Sequence, residues 1–283
     1  MAIVLVTGGA RGIGLGIVQV FADAGHQVMI GDLGGGGGEW NYELASDEDL
    51  RNAVSAQTGE VASVELDVTQ ANSCAKAITK TVELFGGLDI LINNAGVVGS
   101  GPIEEFDEAE WDRIFAVNTK GIFLMSQAAL SALKESSKAA IVNTASIAGK
   151  QGVANMAAYC GSKFAAIGIT QSLALELANV DITVNAVCPG IVGTAMWLDH
   201  LLPERKADLV SAAIPKILEV VTVSGAGLFL VGTLLFAAGN KEYLISTIFV
   251  YVLIFGVTLI PCNFHYVFLI FFCKYKNIYK IIT

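Results

Sequence analysis

Tyr159 and Lys163 stand four residues apart in the stretch Tyr159-Cys160-Gly161-Ser162-Lys163. Apolar residues recur at helical spacing through the segment that follows, so both side chains project from one helix face. A free phenol titrates near ~10 and is a weak base at neutral pH. An ammonium held beside it favours the phenolate and lowers that value, which makes the pair a candidate general acid/base. Taken alone, Y-x-x-x-K is as readily an exposed tyrosine one turn from a solvated lysine. The neighbouring segments decide between the two readings.

Residues 2–6 form a short β-branched apolar run, the pattern of a strand buried on both faces. Thr7-Gly8-Gly9-Ala10-Arg11-Gly12-Ile13-Gly14 follows, and then an amphipathic run to Ala24. Strand, glycine turn and helix in that order suit a dinucleotide, whose pyrophosphate sits on the helix N-terminus. Residues 26–31 read as a second strand ending at Asp32. A carboxylate there accepts both ribose hydroxyls of an adenosine and repels a 2′-phosphate, so NAD is favoured over NADP. The pentaglycine 34–38 reads as a flexible loop, and Ser46 caps a helix with an acidic first turn.

A third strand, 61–66, ends in Asp67-Val68, with Thr69 as cap of a helix reaching Phe85. A fourth, 88–92, closes in Asn93-Asn94-Ala95-Gly96, and 107–133 carries one long helical pattern interrupted by Asn118. The fifth strand, 139–145, delivers Ser146 at its carboxyl end, ahead of the helix bearing Tyr159 and Lys163. The sixth, 181–187, runs into Cys188-Pro189-Gly190-Ile191-Val192-Gly193-Thr194, a loop over the expected cofactor. Regular alternation predicts a doubly wound α/β fold, a Rossmann-type parallel sheet of six strands with helices on both faces. Ligands in such sheets bind at the carboxyl ends of strands, where each of these polar clusters falls.

Composition excludes several alternatives. A formal charge of −9 with no basic stripe argues against nucleic acid. Five cysteines, at 74, 160, 188, 262 and 273, form no C-x-x-C pair and read as reduced thiols. His26, His200 and His265 are isolated in sequence, so no metal site is expected.

T-G-x-x-x-G-x-G, N-N-A-G, a serine thirteen residues before Y-x-x-x-K, and P-G with a following threonine occur in order. As a set they resemble the short-chain dehydrogenase/reductase family of single-domain NAD(P)-dependent oxidoreductases, over residues 2 to about 202. The resemblance implies a catalytic tetrad of Asn118, Ser146, Tyr159 and Lys163. Tyr159 would exchange a proton with the substrate oxygen and Ser146 would hydrogen-bond that oxygen. Lys163 would lower the tyrosine pKa and hold the nicotinamide ribose, and Asn118 would position a relay water. It likewise implies cofactor contacts from Gly8, Arg11, Gly12, Ile13, Gly14, Asp32, Asp67, Val68, Asn94, Ala95 and Gly96, and from Pro189, Gly190, Val192 and Thr194.

The expected reaction is interconversion of a secondary alcohol and its ketone. Residues 97–102, 146–154 and 196–202, with Trp197, would border the substrate. Their small and apolar character favours a small hydroxy-ketone, diol or polyol, with a 3-oxoacyl thioester as rival and a steroid third. The family also implies a homo-oligomer.

Past about residue 202 the pattern stops. The expected division is a catalytic domain at 1–203 and an atypical hydrophobic tail at 204–283, with no counterpart of the family's seventh strand. Residues 217–238 are apolar save Glu219, and 244–273 contain no Asp, Glu, Lys or Arg. Three accounts stand open: a two-span anchor with flanking lysines on the cytosolic side, an aberrant terminus, or elements of a soluble core. The protein is expected in the cytoplasm, at a membrane under the first account. A catalytically impaired NAD-binding scaffold or sensor is the alternative from another functional class.

Overall fold

In the computed structural model, residues 1–36, 44–194 and 196 are described. Helices and strands alternate along them: β1 Ile3–Thr7, α1 Gly12–Asp23, β2 Gln27–Asp32, α2 Asp47–Ser55, β3 Val61–Glu65, α3 Ala71–Phe85 and β4 Ile90–Asn93. The chain continues with α4 Glu108–Phe115, α5 Gly121–Lys134, β5 Ala140–Thr144, α6 Ala157–Glu176 and β6 Thr183–Val187. The six strands pair in parallel in the order β3-β2-β1-β4-β5-β6. This is the doubly wound sheet that the alternation predicts. Strand order reverses between β1 and β4, and the loops leaving those two strands part there to form a crevice.

Successive strand residues point to opposite faces, so register sorts the core into two layers. Leu5 lies opposite Met29 and Leu91, Leu91 opposite Ile141, and Ile141 opposite Val184. That row packs against residues of α3 and α5, including Ala77, Met125 and Leu133. Val4, Val6, Val28, Ile30 and Ile92 take the other face, beneath Val18 of α1 and Leu50 and Ala53 of α2. Burial on both faces is why these strands are continuous apolar runs.

Ser46 caps α2 as expected, in a capping box with Asp49. Two local expectations change. The cap of α3 is Gln70, because Thr69 instead turns back and gives its N–H and hydroxyl to Asp67 Oδ1. The long helix at 107–133 is divided: a π-helical turn, Ala116–Lys120, separates α4 from α5. Gly34–Gly36 form a short 3₁₀ turn. Among the described residues no helix is long and apolar enough to cross a membrane. The stretches 217–238 and 244–273 lie outside the described residues, as does the segment where a seventh strand would fall.

Candidate active site

The glycine turn is drawn tight against the end of β4. Gly8 adopts φ +63°, and a Cβ there would stand 2.8 Å from Ala95 Cα. A Cβ on Gly14 would stand 2.0 Å from the carbonyl oxygen of Gly8. The backbone at this corner therefore tolerates no side chain, which leaves main-chain N–H groups as its lining. Asn94 ties the two strands, its Nδ2 donating to the carbonyls of Thr7 at 3.1 Å and Gly8 at 3.0 Å. The N–H groups of Asn94 and Ala95 both donate to Thr7 Oγ1 at 3.0 Å. Thr7, the first letter of the glycine motif, is thus a positioning residue that sequence reasoning passed over.

Asp32 ends β2 beside this turn. Its Oδ2 accepts from Ala10 N–H at 2.9 Å and its Oδ1 from Leu33 N–H at 2.9 Å. Burial raises its pKa, and the two backbone donors and Arg11 oppose that rise. Asp67 and Val68 follow β3, and Ile13 lies in the first turn of α1. The loop bearing Pro189, Gly190, Val192 and Thr194 crosses the mouth of the turn. Pro189 accepts from Ile147 N–H at 2.9 Å, and a Cβ on Gly12 would meet the Thr194 methyl at 3.3 Å. A side-chain-free cradle, a carboxylate one strand away and a covering loop fit a dinucleotide.

On the β5 side, Ser146, Tyr159, Lys163 and Asn118 converge and all are buried. Tyr159 and Lys163 share one face of α6, with Lys163 Nζ 5.7 Å from the phenol ring centroid. Nζ donates to the Thr144 carbonyl at 2.9 Å. A Cβ on Gly96 would come within 3.3 Å of both Lys163 Nζ and Asn118 Oδ1, so Gly96 closes the group.

The electrostatics differ from the simple expectation of an acidified phenol. Burial pushes the Tyr159 pKa up, opposed by its hydrogen bond with the Ser146 side chain. Burial also drives Lys163 down from 10.5 to about 8.

Asn118 is fully buried within the π turn. Its Oδ1 accepts from Val97 N–H at 2.8 Å, and its Nδ2 donates to the Val97 carbonyl at 2.8 Å and Ser162 Oγ at 3.0 Å. Ser162 in turn donates to the Tyr159 carbonyl at 2.8 Å. The side chain is committed to fixing the loop after β4 against α6. Asn118→Ala leaves both Val97 backbone groups without partners and is expected to cost about 3 kcal/mol of stability. A denaturant titration checks this, with a shifted midpoint and unchanged slope as the expected result. Ser162 and the Thr144 carbonyl escaped the sequence reading, the first because a serine in a helix has no distinctive spacing, the second because backbone carries no residue signal.

Val98, Ala148, Met156 and Met196 pack around Tyr159, and Gly101 N–H donates to the Asn155 carbonyl at 2.8 Å. That bond ties the expected wall 97–102 to the residue directly after the wall 146–154; residues 197–202 of the third, Trp197 included, lie outside the described residues. A cavity of about 430 Å³ lies elsewhere, lined by Asp112, Phe115, Lys120, Phe123 and others, and includes none of the four residues. Among the described residues no cluster of potential metal ligands occurs.

Comparison with known proteins accords with this geometry. The short chain dehydrogenase family model matches residues 2–201. A 3-alpha-(or 20-beta)-hydroxysteroid dehydrogenase of Mycobacterium tuberculosis is 37% identical over 231 residues, covering 81% of each chain. L-2,3-butanediol dehydrogenase of Corynebacterium glutamicum is 39% identical over 196 residues, covering 69% of this chain and 73% of its own. Among solved structures, carveol dehydrogenase from Mycobacterium avium in complex with NAD superposes with a TM-score of 0.68 at 26% identity, covering 74% of this chain and 77% of its own.

Proposed function

The chain belongs to the short-chain dehydrogenase/reductase family and is an oxidoreductase acting on CH–OH groups, and we propose that it interconverts a secondary alcohol and its ketone with NAD, using Tyr159 as general acid/base. The observation that carries this reading is the convergence of Ser146, Tyr159, Lys163 and Asn118, all buried, at the carboxyl edge of β5 beside the glycine cradle. Bound NAD supplies the hydride acceptor, and NADH the donor, at the substrate carbon. The chain's own task is to bind, orient and move one proton.

In the oxidative direction, Tyr159 takes the hydroxyl proton as the C–H electron pair leaves the carbinol carbon; in reduction it returns that proton to the carbonyl oxygen. Ser146, already hydrogen-bonded to the phenol, holds the same oxygen. Lys163, whose Nζ donates to the Thr144 carbonyl, would hold the nicotinamide ribose when the dinucleotide is bound, and the dinucleotide's negative groups would favour its ammonium form. Asn118 acts by locking Val97 and the Tyr159 backbone through Ser162.

The apolar residues around Tyr159 and the butanediol dehydrogenase among the relatives support a substrate in the range of small hydroxy-ketones, diols and polyols, while the hydroxysteroid dehydrogenase supports a steroid as rival. NADH oxidation by the full-length chain is measured against a panel: hydroxy-ketones, a keto-sugar, a cyclic ketone, a 3-oxosteroid and a 3-oxoacyl thioester. Turnover of the first two classes supports the reading, while preference for the thioester or steroid replaces the substrate. Tight NADH binding without turnover of any of them leaves a cofactor-binding scaffold.

For the cofactor, Asp32 supports NAD. Asp32→Ala is expected to lower the ratio of NAD to NADP binding about tenfold, since it removes two ribose hydrogen bonds and one repulsive charge. Isothermal titration with both dinucleotides reads that ratio, and an unchanged value removes Asp32 from the account.

A further inference from the structure

Two asparagines face each other inside the sheet, each next to residues that build the site. Asn93 of β4 and Asn143 of β5 are register partners, both are buried, and Asn93 Nδ2 donates to Asn143 Oδ1 at 2.9 Å. Asn143 Nδ2 donates in turn to Thr170 Oγ1 on α6 at 2.9 Å. Thr170 gives its own proton to the Ala166 carbonyl at 2.7 Å, so toward Asn143 its hydroxyl acts as acceptor. That fixes the Asn143 amide with Nδ2 toward α6 and Oδ1 toward β4. Asn93 Nδ2 also reaches Ser126 Oγ of α5 at 3.3 Å.

Stability alone does not call for amides here. Leu91 and Ile141, two residues back on the same strands and opposite each other, fill the equivalent places with apolar side chains. Asn93 Oδ1 is left without a partner among the described residues, which costs free energy. What the polar bracket does is fix a helix against a strand. Lys163, Ala166 and Thr170 lie on one buried stripe of α6. Lys163 reaches the Thr144 carbonyl, and Thr170 reaches Asn143, the preceding residue of β5. Between them Ala166, packed with Ala145 and Ile122, offers only a methyl group and resists sliding little. On the other flank Asn93 precedes Asn94, whose amide ties the glycine cradle.

We propose that Asn143 is a positioning residue: held by Asn93 and holding Thr170, it sets where α6 rests along β5, and so where Tyr159 and Lys163 stand relative to the cradle. Under the oxidoreductase reading above, on which this role depends, those two side chains must meet a nicotinamide and its ribose. Asn143 acts on them through the strand and the helix.

The test measures kcat and KM on the full-length chain, with NADH and whichever ketone of the panel above wild type turns over fastest. Thr170→Val keeps the shape and removes the acceptor. Its kcat is expected to fall about tenfold with KM for the ketone within about twofold, since misplaced reacting groups slow the chemical step more than binding. Thr170→Ser keeps the hydroxyl and should stay within about twofold of wild type in kcat. Asn143→Leu should be at least as slow as Thr170→Val, and the double variant no slower than Asn143→Leu, because both changes remove the same bond. The Thr170 pair decides on its own where Asn143→Leu does not fold. Thr81 of α3 is the control: also buried, it donates to the Ala77 carbonyl as Thr170 does to that of Ala166, and Thr81→Val should leave kcat unchanged.

A Thr170→Val protein with wild-type kcat overturns the role of Asn143. So does Thr170→Ser as slow as Thr170→Val, or an equal loss in Thr81→Val, which would trace the effect to a softened fold. Losses that multiply in the double variant overturn it as well, because the two residues then act independently. A wild-type chain that binds NADH and turns over no ketone removes the oxidoreductase reading, and this role with it. Wild-type turnover with unaffected variants removes the role alone.

Discussion

Tyr159→Phe is expected to lower kcat by about 10³-fold or more while leaving the dissociation constant for NADH within about twofold. The substitution removes one oxygen from a ring buried among Val98, Ala148, Met156 and Cys160, so packing is retained. What disappears is the proposed carrier of the substrate's proton, together with the hydrogen bond to Ser146. The glycine turn and Asp32 are untouched, which is why binding and turnover separate. Steady-state rates and a dinucleotide titration on the same preparation read both quantities. A variant that keeps near-full turnover contradicts the assignment of the proton carrier.

Lys163→Met is the second large effect, and it has opposite signs for activity and for stability. Turnover should fall by at least 10²-fold, since the ribose and phenol lose their cation. Yet without dinucleotide the variant should be more stable than wild type at pH 7. Burial holds Lys163 at about 8 in the folded chain, against 10.5 when exposed. Between those values the unfolded chain binds more protons, so wild-type stability rises with pH across that window. Below it the full cost of a buried ammonium is present, about 3 kcal/mol from a shift of this size. Loss of the hydrogen bond to Thr144 returns about 1 kcal/mol of that. A methionine of similar shape should therefore add about 2 kcal/mol at pH 7, with the advantage gone near pH 10. Chemical denaturation at both pH values checks it, and a variant less stable than wild type at pH 7 contradicts the desolvation account. Such a residue is kept for chemistry at the expense of the fold.

Much of this site was legible before any coordinates, for identifiable reasons. Gly8, Asp32 and Asn94 lie at strand ends, and the period of the strands placed those ends without ambiguity. Tyr159 and Lys163 were legible because i and i+4 share a helix face. The π turn around Asn118 was not legible because it adds a single residue to a helix and leaves its apolar periodicity nearly intact. Nothing in the letters shows that the extra residue turns its amide inward to Val97 and Ser162. Thr69 was misplaced by a competition between two short-range bonds, capping α3 or turning back on Asp67, which differ little in sequence signature. The charge state of Lys163 depends on burial by segments far apart in the chain, a property no local window contains.

The central claim is direct hydride exchange between a nicotinamide and a substrate carbon, with the proton carried by Tyr159. It is tested most directly by giving the full-length chain NADH deuterated at the transferring position of the ring, with a ketone that it turns over. The account predicts an alcohol carrying one deuterium on the carbinol carbon, and none of that product from Tyr159→Phe. Unlabelled alcohol from the wild-type chain, or labelled alcohol formed at an undiminished rate by Tyr159→Phe, would contradict it.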